Sequence, residues 1–113
     1  MRILLVQPTT CYPDGRPLRS KTRWLLGMTL PYLAALTPKG IQVDLADDRL
    51  MPIPYHRDYD LVGITATCAT SIRAYEIARE FRARGTPVVM GGFHVTLHPD
   101  EALEHCDAAV VGE

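Results

Sequence analysis

The residues with the clearest chemical meaning in this sequence are two adjacent glycines, Gly91 and Gly92, which follow a short apolar run at 88–90. The run predicts a buried strand, and the glycines remove side chains from its end. Open α/β sheets bind ligands outside the carboxyl ends of their strands. The pair therefore predicts space for a bulky ligand, although a tight strand-to-loop turn explains the same residues. His94 follows, either as an ordinary loop histidine or as a pocket residue.

Hydroxyl side chains cluster where another apolar run turns into the most regular helical pattern of the chain. They are Thr65, Thr67, Thr70 and Ser71. Hydroxyls both donate and accept hydrogen bonds, and the first turn of a helix adds free backbone N–H groups. The cluster therefore suits the amide or phosphate groups of a ligand. The alternative is that Thr70 or Ser71 only caps the helix.

Several common chemistries do not match the residues that follow the predicted strands. The chain has no G-x-G-x-x-G motif after the first strand and no P-loop. A phospho-acceptor receiver domain needs acidic residues where Gln7 and Thr65 stand. The histidines lack metal-ligand spacing, because His94 and His98 share a face only within a helix and Pro99 argues against one there. A dinucleotide or P-loop phosphate motif, phosphoryl transfer to an aspartate and a histidine metal site are therefore disfavoured.

Strand and helix patterns alternate along the chain, as expected of an α/β protein. Strands are predicted at 2–6, 41–46, 60–65, 87–90 and 107–111, and helices at 24–37, 68–84 and 99–105. The 24–37 pattern contains Pro31, which predicts a kink or a later start. The connection 47–58 contains two prolines and leaves room for one helical turn at most.

This alternation predicts a Rossmann-like, flavodoxin-like sheet of five parallel strands in the order 2-1-3-4-5. Right-handed crossovers bring the loops after the strands to one edge of the sheet. These loops are 7–23, 66–71, 91–98 and 112–113. The sequence stops after the fifth strand, where a covering helix is expected. We therefore interpret residues 1–113 as one domain, truncated after strand five, from the N-terminus of a longer enzyme.

The composition of the chain bears on whether it binds nucleic acid, crosses a membrane or lies in an oxidising compartment. The 113 residues are 47% hydrophobic with a net charge of -1 and no basic patch, which argues against nucleic acid as a partner. No apolar run reaches the roughly 20 residues of a membrane span. The three cysteines are widely spaced and form no disulfide or zinc pattern, so a cytoplasmic location is expected.

An ordered set of segments resembles the N-terminal cobalamin-binding domain of B12-dependent radical SAM enzymes. The segments are 60–65 with Thr67 and Thr70, then 87–96, 99–103 and 107–113, and also 30–36 followed by Gly40 and Val43. That family includes methyltransferases and the magnesium-protoporphyrin monomethyl ester oxidative cyclases. The resemblance implies a corrinoid above the strand-end loops, with its nucleotide tail inserted into the domain. It also implies a downstream radical SAM domain that carries a [4Fe–4S] cluster and S-adenosylmethionine.

The resemblance implies binding roles only, and no catalytic residue within these 113 positions. The expected cobalamin-binding residues are Pro8, Thr9, Thr10, Thr65, Thr67, Thr70, Ser71, Gly91, Gly92, His94, Gly112 and Glu113. Cobalamin mutases use a D-x-H-x-x-G motif whose histidine binds cobalt from below. This chain has no histidine with an aspartate two positions before it. A base-off corrinoid without a protein histidine ligand is therefore expected.

Two other functions are consistent with the same pattern. The chain could be the N-terminal Rossmann-like half of a nucleotide-sugar transferase, or a non-catalytic regulatory or interaction domain. An exposed sheet edge could also pair two copies into a homodimer.

Overall fold

The computed structural model describes residues 1–18 and 29–112, and in them a single five-stranded sheet. Its strands are all parallel and lie in the order β2-β1-β3-β4-β5, which confirms the predicted topology. The strands are β1 Arg2–Gln7, β2 Gln42–Asp47, β3 Leu61–Thr65, β4 Val88–Gly91 and β5 Ala108–Ala109. The helices are α1 Thr29–Leu36, α2 Ser71–Ala83, α3 Phe93–Leu97 and α4 Pro99–Leu103.

The two faces of the sheet differ because side chains alternate along each strand. One face, here called the core face, consists of Leu4, Val6, Val62, Ile64, Val88 and Met90, each at most 3% exposed. It packs with Ile77 and Phe81 of α2 in one apolar cluster. The opposite face, here called the glycine face, carries Leu5, Gly63, Val89 and Gly91 on the central strands. These four residues are only partly buried.

The helix α2 is the best match between sequence and structure. It spans Ser71–Ala83 after a 3-10 turn at Cys68–Thr70, and it buries Ala74, Ile77 and Phe81. Gly85, at a φ of +85°, turns the chain away from the end of α2. Ile72 lies at helical spacing from Tyr75, Ala78 and Phe81, a pattern that predicts one buried stripe, yet it is 70% exposed.

The helix α1 differs more from its predicted form. It begins at Thr29 in the described part of the chain, whereas predicted positions 24–28 lie outside the described residues. The helical pattern predicts that Tyr32 and Leu36 lie together on one apolar face. Leu30 is buried, but Tyr32 and Leu36 are each more than 60% exposed. Pro31 lies in the first turn of α1, where an N–H group would have no intrahelical partner.

The segment after β4 contradicts the expectation of a loop. Phe93–Leu97 forms the short helix α3, which ends before Pro99. Pro99 restricts the residue before it, and His98 takes that position outside the α-helical region, at a φ of -133° and a ψ of 59°, so α3 ends there undisturbed. His94 and His98 consequently share a helical face, and their ring centroids lie 5.0 Å apart. The fifth strand is also shorter than predicted, because only Ala108–Ala109 pairs with β4.

Candidate functional site

A cleft opens at the carboxyl ends of β1 and β3, where the strand order reverses. Its volume is about 250 Å³, and its lining residues are Gln7, Pro8, Thr9, Thr10, Leu18, Arg49 and Thr70. We call it the switch-point cleft. It brings the predicted segment after β1 together with one predicted threonine before α2. Reversal points of this kind are where open α/β sheets place their ligands.

Internal hydrogen bonds organise the loop that forms one wall of this cleft. The buried Thr9 hydroxyl donates to the Leu18 carbonyl at 2.6 Å. The Leu18 N–H donates to the Thr10 carbonyl, and Cys11 forms an antiparallel bridge with Pro17. Thr9 is thus occupied in shaping the loop, whereas Thr10 is partly exposed beside the cleft. Burial raises the pKa of the Cys11 thiol above its ordinary value.

Two charged residues behind the cleft were not predicted. Asp48 follows β2 and is fully buried, and Arg73 of α2 is 12% exposed. The Arg73 guanidinium donates from Nε and Nη2 to the two carboxylate oxygens of Asp48, at 2.7 and 3.1 Å. Hydrogen bonding to Asp48 raises the pKa of Arg73. The sequence gives one indication that Asp48 could belong to the site, which is its position directly after a predicted strand, at the start of the connection 47–58.

The predicted hydroxyl cluster is partly used to start α2. The Thr67 N–H donates to the Thr70 hydroxyl at 3.0 Å, and the two threonine hydroxyls lie 3.2 Å apart. The Ser71 hydroxyl donates to the Cys68 carbonyl at 3.0 Å. Thr70 and Ser71 therefore have local roles at the helix start, as the alternative interpretation proposed. The exposed Thr67 lies beside them at the same edge of the sheet.

The two adjacent glycines have different environments. A Cβ atom on Gly92 would lie 2.6 Å from the Ala66 carbonyl oxygen, and the φ of Gly92 is +105°. The expectation that Gly92 leaves space for a ligand is therefore wrong, because the protein's own backbone fills that space. At Gly91 the nearest atom to an added Cβ would be the Val110 Cβ, at an ordinary contact distance of 3.6 Å.

Gly63 is a third glycine at this site, and it is not among the residues predicted to bind cobalamin. It lies between Leu5 and Val89 in the sheet register, on the glycine face. The nearest atom to an added Cβ would be the Leu5 Cδ2 at 3.0 Å, the end of a flexible side chain. Gly63 and Gly91 lie at staggered positions, beside Val89 and Thr65 respectively, and each leaves backbone without a side chain on the glycine face. Glycines at such positions allow a flat group to approach the backbone of the sheet closely.

His94 is a buried helical residue and not a loop histidine. Its Nε2 lies 2.7 Å from Glu101 Oε2 and 2.9 Å from the Tyr75 hydroxyl, which itself donates to Glu101 at 2.9 Å. Hydrogen bonding to His94 and Tyr75 lowers the pKa of Glu101. Burial and the Glu101 hydrogen bond raise the pKa of Tyr75. This network fastens α3 and α4 to α2, while His94 Nδ1 is buried without a hydrogen-bond partner among the described residues.

The end of the described chain folds back onto α3. The Gly112 N–H donates to the Thr96 hydroxyl at 3.1 Å, and that hydroxyl donates to the Gly92 carbonyl at 3.0 Å. Thr96, which was not selected as a site residue, thus joins the β4 and β5 loops. Gly112 is exposed at a φ of +83°. The predicted rim residue Glu113 lies outside the described residues.

The arrangement suits binding more than catalysis. Within residues 1–18 and 29–112, no group of three or more histidine, cysteine or acidic side chains is placed to hold a metal ion. The described part of the chain also has no helix of the length and hydropathy needed to cross a membrane. What the carboxyl edge offers is hydroxyl groups, backbone N–H groups and bare glycine backbone. These groups fit a large ligand that carries amides and a phosphate.

Comparison with known proteins identifies the family of this chain. The family model of the B12 binding domain matches residues 28–113, which is most of the chain. The chain belongs to the B12-binding domain family. Its parallel strands in the order β2-β1-β3-β4-β5 are consistent with a Rossmann-like B12-binding fold.

Curated relatives of this B12-binding domain are methyltransferases. Bacteriochlorophyllide d C-8(2)-methyltransferase of Chlorobaculum tepidum is 46% identical over 95 residues, covering 83% of this chain and 21% of the relative. The bacteriochlorophyllide d C-12(1)-methyltransferase of the same organism is 34% identical, and the match covers 76% of this chain and 19% of the relative. An uncharacterised methyltransferase of Pyrococcus horikoshii is also 34% identical, and the match covers 100% of this chain and 27% of the relative. The chain thus spans about a fifth to a quarter of these relatives, and no solved structure matches it significantly.

Proposed function

We propose that this domain binds cobalamin and presents it to a downstream radical SAM domain for C-methylation. Methylation is favoured over oxidative cyclisation because all three reported relatives are named methyltransferases. By analogy with two of them, the acceptor is a chlorophyllide-type tetrapyrrole. The [4Fe–4S] cluster and S-adenosylmethionine belong to the downstream domain, so the 113 residues alone are catalytically inert.

One observation carries the proposal: Gly63 and Gly91 place backbone without side chains on the glycine face, where the atoms nearest to an added Cβ belong to the side chains of Leu5 and Val110. Cobalamin fits such a surface, because its nucleotide tail is a flat base joined through a phosphate. We assign the tail to this face. When bound, cobalamin supplies a cobalt centre that carries a methyl group. The residues of this chain only bind and orient it.

In this proposal, some of the remaining predicted residues contact the corrinoid and others shape the walls of its site. We assign Thr10 and Thr67, whose side chains are at least partly exposed at the carboxyl edge, to polar contacts with the corrinoid. Pro8, Thr9, Thr65, Thr70 and Ser71 shape the walls around them, and Gly112 and Glu113 complete the rim. His94 is held by Glu101 and Tyr75. A base-off corrinoid without a protein histidine ligand accords with that arrangement.

Location and assembly complete the proposal. The three cysteines are free, which suits a reducing compartment such as the cytoplasm. Pairing of two copies through a sheet edge stays a prediction.

Titration with hydroxocobalamin tests the proposal. The wild-type chain is expected to change the visible absorption spectrum of the corrinoid in a saturable way. Gly91→Val is expected to weaken this binding by about tenfold or more, because its side chain would occupy the space beside Val110 that we assign to the nucleotide tail. Ala83→Val, which adds bulk to an exposed residue at the far end of α2, is the matched control and is expected to bind normally. A folded wild-type chain that leaves the spectrum unchanged would contradict the proposal.

A further inference from the structure

A buried ion pair lies behind the switch-point cleft and outside the proposed ligand contacts. Asp48 is fully buried and Arg73 nearly so, and two hydrogen bonds of 2.7 and 3.1 Å join them. Removing two charges from water is unfavourable, and apolar side chains of similar volume often stabilise a protein as well or better. Stability alone is therefore a weak explanation for this pair, and its geometry suggests a more specific one.

The pair connects the two walls of the cleft. On one side, Asp48 Oδ2 accepts the N–H of Thr9 at 3.2 Å, and the Asp48 N–H donates to the Gln7 carbonyl at 2.9 Å. On the other side, Arg73 lies in the first turn of α2, three residues after Thr70. Thr9 and Thr70 both line the cleft. One carboxylate thus contacts the loop after β1 and the helix that follows β3.

We propose that Asp48 and Arg73 are positioning residues for corrinoid binding, which fix the spacing between the Thr9–Thr10 wall and the Thr70 wall. This inference rests on the proposed function, because the ligand whose fit it controls is cobalamin. Neither side chain needs to touch the ligand. A cleft whose walls are already held in place avoids the entropy of ordering them during binding, so the ion pair acts on affinity.

The test compares three arginine variants by titration with hydroxocobalamin, at a temperature well below the unfolding midpoint of each. Arg73→Met is expected to weaken affinity by about tenfold or more, because supporting residues of a site commonly have effects of this size. Arg73→Lys is expected to recover part of the loss, since it keeps the charge but not the two-pronged geometry. Arg82→Met is the matched control, because Arg82 pairs with Asp107 at the other end of α2. It is expected to bind like the wild type.

A double variant keeps the test decisive if Arg73→Met fails to fold. Asp48→Asn/Arg73→Gln removes both charges of the pair together, so that neither is left buried without the other. It is expected to fold, to retain the wild-type circular dichroism spectrum, and to bind hydroxocobalamin about tenfold more weakly. Wild-type affinity in either folded variant would overturn the inference while leaving the proposed function in place. Failure of the wild-type chain itself to bind hydroxocobalamin would overturn the proposed function, and this inference with it.

Discussion

The two faces of the sheet use the same strands for different purposes. The core face places six large apolar side chains against α2 and excludes water almost completely. On the glycine face, the central strands carry Gly63 and Gly91 among side chains that are only partly buried. A protein selected for stability alone would fill both faces, because each buried large apolar side chain contributes about 1.5–3 kcal/mol. The difference shows that the tight apolar packing lies on one face, and it is the reason why our proposal assigns the ligand to the other.

The largest effect is expected from breaking the core face. Phe81 is 1% exposed and packs against the ring of Tyr55, with the ring centroids 5.0 Å apart. Phe81→Ala is expected to lower the free energy of unfolding by about 3–5 kcal/mol, because it leaves a cavity. Chemical denaturation measures the loss. Ile72→Ala, on the exposed side of the same helix, is the control and is expected to change stability little. Equal effects of the two substitutions would contradict the assignment of the core.

A smaller effect separates the two adjacent glycines. Gly92→Ala is expected to lower the free energy of unfolding by about 1–3 kcal/mol, because Gly92 combines a positive φ with close contact to the Ala66 backbone. Gly91→Ala is expected to lower the free energy of unfolding by less than about 1 kcal/mol, because its added Cβ makes only ordinary van der Waals contacts. Thermal unfolding of the two variants under identical conditions provides the comparison. A stable Gly92→Ala variant would restore the original interpretation that both glycines leave ligand space.

The smallest effect concerns the pH dependence of stability. Hydrogen bonds from His94 and Tyr75 lower the pKa of Glu101 in the folded state. The stability that they contribute is therefore fully present above the unfolded-state pKa of about 4.3, and it is lost as the pH falls through the lower folded-state value. Glu101→Gln is expected to flatten the dependence of the unfolding midpoint on pH in this acidic range. Asp58→Asn, at an exposed position, serves as the control. An unchanged profile in Glu101→Gln would show that the network adds nothing to stability.

The parts of the fold that depend on local patterns could be predicted from the sequence. The helix α2 follows from hydrophobic periodicity, and the edge that gathers the loops follows from the handedness of crossovers. The strand order follows from the flavodoxin-like class that the alternation of strands and helices indicates. The helix α3 could not be predicted, because five residues carry too little periodicity and Pro99 suggested a break. The exposure of the apolar side chains of α1 also could not be predicted, because a helical pattern does not show whether another part of the protein packs against that face.

The candidate site was predicted less completely than the fold, for a physical reason. Residue type identified the polar and glycine segments that reach the edge, and the structure brings Thr10 and Thr70 to one cleft. The Asp48–Arg73 pair depends on a contact between residues 25 positions apart, which no local pattern reveals. The roles of Gly63 and Gly92 depend on what a Cβ atom would meet, and this is a property of the folded backbone.

The most direct test of the central claim compares the affinity of the wild-type chain for hydroxocobalamin with its affinity for cobinamide, a corrinoid that lacks the nucleotide tail. If the glycine face holds the tail, cobalamin is expected to bind at least about tenfold more tightly, a difference of about 1.4 kcal/mol. Gly91→Val is then expected to reduce the affinity for cobalamin to that for cobinamide. Equal affinities of the wild-type chain for the two corrinoids would contradict the assignment of the glycine face as the tail site.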